Sequence, residues 1–452
     1  MRRPIPAQPR TRAPRRTPAP RRSDLTHPIA SGRAERSRWL LSVFFSIALA
    51  ACGERPPPSA PDTGTTAISD DSVGAFLREH WSRPLAAQGP APERFSAAER
   101  SLAPADCGGC HAAQHADWKA SLHANAMGPG LMGQLVEMDA EDRDAHQDCI
   151  RCHAPLAEQA DALAAAIADS GRRPPGHASA RALHEEGLVC AACHVRAHQR
   201  FGPPRRDGSA PDAAARPALP HNGFTASPAF EDSRFCAACH QFEPDGFTLA
   251  GKLLENTYEE WKGSRHAREG RTCQSCHMPE RRHLWRGIHD RQATRAALTI
   301  EAQPPRIAEG KVAARLRIRN TGAGHHFPTY VTPRAVAEIW QEDAAGSALA
   351  STRAELVLQR QVPLDLSREI SDTRIPADGE ALLDYARARH PRAAVLRLRL
   401  RIEPDAFYAD LYRSLLEEDG AGRGRAMIRA ALGRAEASAF VAWEARKPLP
   451  AP

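Results

Sequence analysis

Cys107-Gly108-Gly109-Cys110-His111 is the first of five stretches in which two cysteines three apart are followed at once by a histidine. The others are Cys149-Ile150-Arg151-Cys152-His153, Cys190-Ala191-Ala192-Cys193-His194, Cys236-Ala237-Ala238-Cys239-His240 and Cys273-Gln274-Ser275-Cys276-His277. Together they take ten of the eleven cysteines. C-x-x-C-H is the attachment pattern of haem c: two thiols form thioethers to one porphyrin edge, and the histidine lies under the iron as proximal ligand. Zinc ribbons pair cysteines without a histidine after every second one. A disulfide framework would not hold the spacing at three in all five pairs. A thioredoxin-like redox site needs one pair on a βαβ unit, not five in a row. The pattern implies five haem c groups.

Cys52, the eleventh cysteine, ends Leu49-Ala50-Ala51-Cys52, after an apolar run from Trp39 to Ala51 that follows an arginine-rich segment. Thirteen residues are too few to span a bilayer and suit the apolar region of a signal peptide. The four residues resemble a bacterial lipobox, in which the cysteine is diacylated and becomes the new N-terminus. Residues 1–51 are then a lipoprotein signal peptide, and the anchor is acyl chains worth roughly 0.8 kcal/mol per buried methylene. Ordinary cleavage after a small residue is the alternative, and would leave a free thiol in an oxidising compartment. Gly53 in place of an aspartate resembles lipoproteins sorted outward. The expected location is the periplasmic side of a membrane or the outer membrane, the cell surface included. The segment before Trp39 is long for the basic part of a signal peptide, which points to a start further along. Arg21-Arg22 lies too far from the apolar run for twin-arginine export.

The net charge of +7 belongs to the leader. Removing its eleven arginines, Asp24 and Glu35 turns 61 basic and 54 acidic residues into 50 and 52. Haem propionates push the balance further negative. Nothing in it argues for a nucleic-acid partner. Aromatic residues are only 6% of the chain, thin for an ordinary core of this length, and haems would supply the missing apolar mass.

The fold class read from these patterns is multidomain: a mainly helical and irregular multihaem cytochrome domain, then a β-sandwich-like domain with a few helices. Residues 52–104 are tether and lead-in, with a Pro-, Ser- and Thr-rich stalk and a helix near Val73–His80. The cytochrome domain covers 105–295. A Pro- and Ala-rich segment from Gly202 to Pro220 separates the third haem site from the fourth. The β-rich domain covers 296–452, where Val312–Arg319 and Leu396–Ile402 alternate with the period of half-buried strands. Further strands are expected at Ala335–Trp340 and Ala354–Leu358, and helices near Asp405–Glu418 and Arg425–Ala435. The arginine-rich outer faces read as solvated surface.

An internal repeat joins Trp118-Lys119-Ala120-Ser121-Leu122-His123-Ala124 to Trp261-Lys262-Gly263-Ser264-Arg265-His266-Ala267. Trp and His five apart do not share one helix face, so the helix should end near the histidine and leave it free to reach an iron. With the C-x-x-C-H motifs this pair resembles the cytochrome c-554/c-552 family of multihaem electron carriers. Cys152-His153-Ala154-Pro155, Glu259-Glu260-Trp261, Cys276-His277-Met278-Pro279 and Gly322-Ala323-Gly324-His325-His326-Phe327-Pro328-Thr329 extend the likeness over residues 75–445. The fifth haem and the added β domain depart from the family's tetrahaem member, so that protein's redox partner is not carried across.

Five of the twenty histidines are proximal by position: His111, His153, His194, His240 and His277. The resemblance implies His123 and His266 as distal ligands. His221, in His221-Asn222-Gly223-Phe224, and His283, in His283-Leu284-Trp285-Arg286-Gly287, come next. The fifth place is open among His325, His184, His289 and His146, with His325 as the working choice. His115 and His198 sit four residues past a proximal histidine and could serve only a neighbouring iron. Met127 and Met132 read as core.

Two functions are open. Bis-histidine ligation at every iron gives an electron carrier working between redox partner proteins, with no catalytic residues. One open iron gives an oxidoreductase for a small nitrogen or sulfur oxyanion. Related pentahaem nitrite reductases use C-x-x-C-K at the catalytic haem, and all five motifs here end in histidine. Tyr258 is the only tyrosine in the haem stretch, so a tyrosine-crosslinked haem also has little support. The electron carrier is favoured over the enzyme.

Overall fold

The structure, a computed structural model, describes residues 70–169, 181–210, 214–418 and 420–450, all within one compact unit. The leader, Cys52 and the stalk up to residue 69 lie outside the described residues. Among the described residues no helix is long and apolar enough to cross a membrane.

The first part is built from short helices. Asp70–His80, Ala112–Lys119, Arg143–His153 and Ala157–Asp169 are the longer ones. Every C-x-x-C-H motif lies on or between helical turns, four of them on Arg143–His153, Cys190–His194, Arg234–His240 and Cys273–His277. One turn brings residues three and four apart to the same side, so both cysteines and the histidine face one way. Polar caps start these turns: Asp142 accepts from the Ala145 amide at 3.1 Å and Thr272 from the Ser275 amide at 3.3 Å.

The repeated motif has a local physical cause. Ser121 Oγ accepts from the Ala124 amide at 3.4 Å, and Ser264 Oγ from the Ala267 amide at 3.3 Å. Each serine therefore caps the turn that carries the histidine between them. The tryptophans tie each copy to later chain, Trp118 donating to the Leu188 carbonyl at 2.8 Å and Trp261 to that of Arg271 at 2.9 Å.

Beyond residue 297 two antiparallel sheets share one core. The first runs Ala354–Leu358, Arg334–Glu342, Val395–Glu403, Phe440–Pro448 in spatial order. The second places Lys311–Asn320 between Glu380–Ala388 and Leu298–Ala302, with Arg306–Ala308 also on it. Leu396, Leu398, Leu400 and Ile402 point inward against Leu316 and Ile318, all fully buried. The alternation read from the sequence sets this face.

The outward face is not plain solvated surface. Ala335 to Glu342 is buried on both sides, because neighbouring arginine stems lie across it. Arg399 reaches Glu338 at 2.7 Å and stands 4.8 Å over the Trp340 ring, while Arg353 reaches Glu338 at 3.3 Å. The charges are paired across strands, which composition alone does not reveal.

The β-rich part is also knitted to the helical part. The helices Ala406–Glu417 and Arg425–Ala437 lie on Pro129–Leu135 through Gly130, Gly133 and Gly424. A Cβ on Gly130 would overlap the Tyr412 hydroxyl, and one on Gly424 the Gly133 carbonyl. Arg360, fully buried, donates to the carbonyls of Leu253 at 2.6 Å, Lys252 at 3.1 Å and Leu249 at 3.3 Å. The boundary near residue 296 marks a change of secondary structure inside one body.

Candidate haem sites

Three proximal histidines face a second histidine ring across a gap of constant width. Ring centres are 6.4 Å apart for His240 and His123, 6.2 Å for His194 and His283, and 6.3 Å for His277 and His325. Metal–imidazole bonds are about 2.0–2.1 Å and each nitrogen lies about 1.1 Å from its ring centre, so one ion between two histidines sets the centres roughly 6.2 Å apart. The residues fit a haem iron held from both faces.

Ring orientation agrees. Nδ1 donates to a backbone carbonyl at 2.8 Å in His153 (Ala126) and His194 (Phe201), and at 2.7 Å in His277 (Arg286). The same bond occurs in His283 with Arg281 at 3.1 Å, His325 with its neighbour His326 at 2.9 Å and His221 with Gly223 at 2.9 Å. A proton fixed on Nδ1 leaves the Nε2 lone pair for a metal. Burial favours the neutral form, the one that ligates, at His123, His194, His277, His283 and His325. It lowers His123 to about 3, helped by His240, and His194 to about 4 against the opposing Phe201 carbonyl bond. His277, His283 and His325 are lowered mainly by burial too.

The remaining candidates divide. His221 has no facing histidine ring among the described residues; its amide donates to Glu99, whose carbonyl accepts from Arg200 at 2.6 Å, and Arg200 feels the charge of Cys107 in the first motif. His266 and His146 are buried with both ring nitrogens unpartnered, and neither has a facing histidine ring among the described residues. His184 is buried with Nδ1 unpartnered. His289 is engaged by Asp405 at 3.0 Å, and His198 donates to the Gly89 carbonyl at 3.0 Å. His115 stacks on Trp118 at 5.7 Å and covers Gly108 of the first motif. Met127 and Met132 lie in an apolar cluster with Leu135, Ile150 and Leu163.

The sites adjoin in an order unlike that of the sequence. The Cys107 and Cys190 thiols lie close enough to perturb each other, as do those of Cys152 and Cys239 and those of Cys236 and Cys273. The first site thus touches the third, the second the fourth, and the fourth the fifth. Trp285 packs edge-on against both His123, at 4.6 Å, and His283, at 5.1 Å, while its amide donates to the His277 carbonyl at 2.9 Å. It holds φ +41°, a conformation costly for a bulky residue.

Residues 106–195 match the family described as cytochrome c554 and c-prime. Over that segment the chain is similar to multihaem c-type cytochromes. The chain also resembles in fold a penta-heme cytochrome c552 from Thermochromatium tepidum, at 17% identity and a TM-score of 0.53 over 78% of this chain and 99% of that one. No curated protein sequence matches it. The fold match covers most of the neighbour, while the family match is confined to the first three attachment motifs.

Three residues around the candidate sites escape a motif reading of the chain. His80, at the end of the first helix, is buried, donates to the Cys193 carbonyl at 2.9 Å and is lowered to about 3 by burial and then Arg196. Arg83 reaches the second and fourth sites, and Trp285 the distal side of the third and fourth. No motif marks them. The only signal is their nearness in sequence to a predicted helix end or a candidate ligand.

Proposed function

We propose that this chain is a multihaem c-type cytochrome, a lipid-anchored electron carrier that passes electrons through five covalently bound haems, most of them with two axial histidines. Haem c supplies the one-electron chemistry. Cys107 and Cys110, Cys149 and Cys152, Cys190 and Cys193, Cys236 and Cys239, and Cys273 and Cys276 would hold the five groups. The observation that carries the reading is the repeated 6.2–6.4 Å spacing of three histidine pairs. A closed pair leaves no face of the iron for a substrate. His123, His283 and His325 would serve as distal ligands to the fourth, third and fifth haems, and His221 is the candidate for the first. Contact between sites supports short electron steps, with the fourth site as the junction. Cys52 would carry the acyl anchor on the periplasmic side or on the outer membrane, between redox partner proteins.

Low-temperature EPR with resonance Raman on the purified protein tests this. Low-spin bis-histidine signals should account for at least the third, fourth and fifth haems. High-spin iron at any of those three would overturn the ligand assignment there.

A further inference from the structure

Arg83 follows the first helix and lies outside every C-x-x-C-H motif and outside the family-matched segment. Its Nη1 stands 3.6 Å from the Cys152 sulfur and its Nη2 3.3 Å from the Cys239 sulfur, and Nη2 also donates to the Ala238 carbonyl. Among the described residues these are its polar contacts, and no carboxylate pairs with it. One guanidinium therefore sits where the second and fourth attachment sites meet.

We propose that Arg83 sets the reduction potentials of the second and fourth haems together, holding both higher than they would otherwise be. The inference rests on haem attachment at those two sites. Reducing a ferric haem removes one positive charge, so a fixed cation beside it favours the reduced state. Arginine keeps its charge at every pH a protein meets. Thioethers join the porphyrin edge opposite the propionates, so the haems' own carboxylates do not neutralise the guanidinium at this point. Coulomb energy falls with distance, so the second and fourth haems feel the charge more than the other three. An electron that reduces one member of the pair leaves its donor haem ferric, and Arg83 neither bonds nor exchanges a proton. The pair would act as the collecting point of the wire.

Spectroelectrochemical titration of the full-length haem-loaded protein tests this, after intact mass has fixed the haem count. Arg83→Gln should lower two of the five midpoint potentials, and Arg83→Lys should leave them near the parent values. Ser82→Asp places a carboxylate at an exposed neighbouring position, and should lower the same two even if the Gln variant does not assemble. Unmoved potentials, an equal shift in all five, or a lysine variant as low as the glutamine one would overturn the proposal. A wild-type mass without haem would instead refute the attachment on which it rests.

Discussion

Glu260 and Arg374 form an ion pair of 2.9 Å whose side chains retain only 5% and 4% of their exposure. Glu260 lies on Thr257–Lys262, directly before Trp261 of the repeat, and Arg374 comes from the β-rich part. The same carboxylate accepts from the His326 amide at 3.0 Å, so the pair also fixes the loop that presents His325 to His277. Removing Glu260 takes away one of two carboxylate partners of buried Arg374, the other being Asp372 at 2.8 Å, and costs about 1–3 kcal/mol. Glu260→Ala should lose stability of that order in denaturant titration and show a weakened or high-spin fifth haem by resonance Raman. A stable variant with an unchanged spectrum would separate the ion pair from the ligand loop.

Single substitutions sort the distal candidates. Alanine at His123, His283 or His325 should each convert one haem to high spin while the haem count stays at the parent value. His289→Ala should leave the spectrum alone, because that ring is committed to Asp405. His221→Ala should convert the first haem. His266→Ala decides between a ligand and a buried histidine, since the repeat offers it to an iron and no facing ring answers it.

Acid should loosen the join between the two parts before it unfolds either alone. Burial raises Asp372, yet hydrogen bonds from Arg374 and Lys252 outweigh it and hold the carboxyl well below its ordinary value. A depressed folded pKa contributes stability that is complete above the unfolded value of about 3.9 and fades as pH falls through the folded one. Asp372→Asn should be less stable than the parent at neutral pH, with the gap closing below about pH 4. Equal stability at neutral pH would contradict the assignment.

The shared core offers a further check. Leu398 is fully buried between the sheets, and Leu398→Ala should cost about 2–5 kcal/mol. Because Arg360 and the C-terminal helices interlock with the helical part, far-UV dichroism and Soret absorbance should melt together. Two separate transitions would restore an independent C-terminal domain.

The helical turns of the C-x-x-C-H motifs and the strand positions were legible because each depends on local spacing. C-x-x-C-H needs only one helical turn, and Leu396 to Ile402 alternates with the pleat. The facing of one histidine ring by another was legible only in part. His123 came from a repeat whose serine cap is local, whereas His283 and His325 reach their partners through long-range folding. His266 shares the cap but not the facing ring, which shows that a local motif places a side chain without choosing its partner. The arginine faces read as solvated because sequence gives a residue's own charge and not the Glu338 across the strand.

Intact mass of the exported protein, read with its pyridine haemochrome spectrum, tests covalent haem attachment most directly. Five haem groups per chain with a c-type spectrum are expected. A colourless protein with the mass of the bare polypeptide would contradict it.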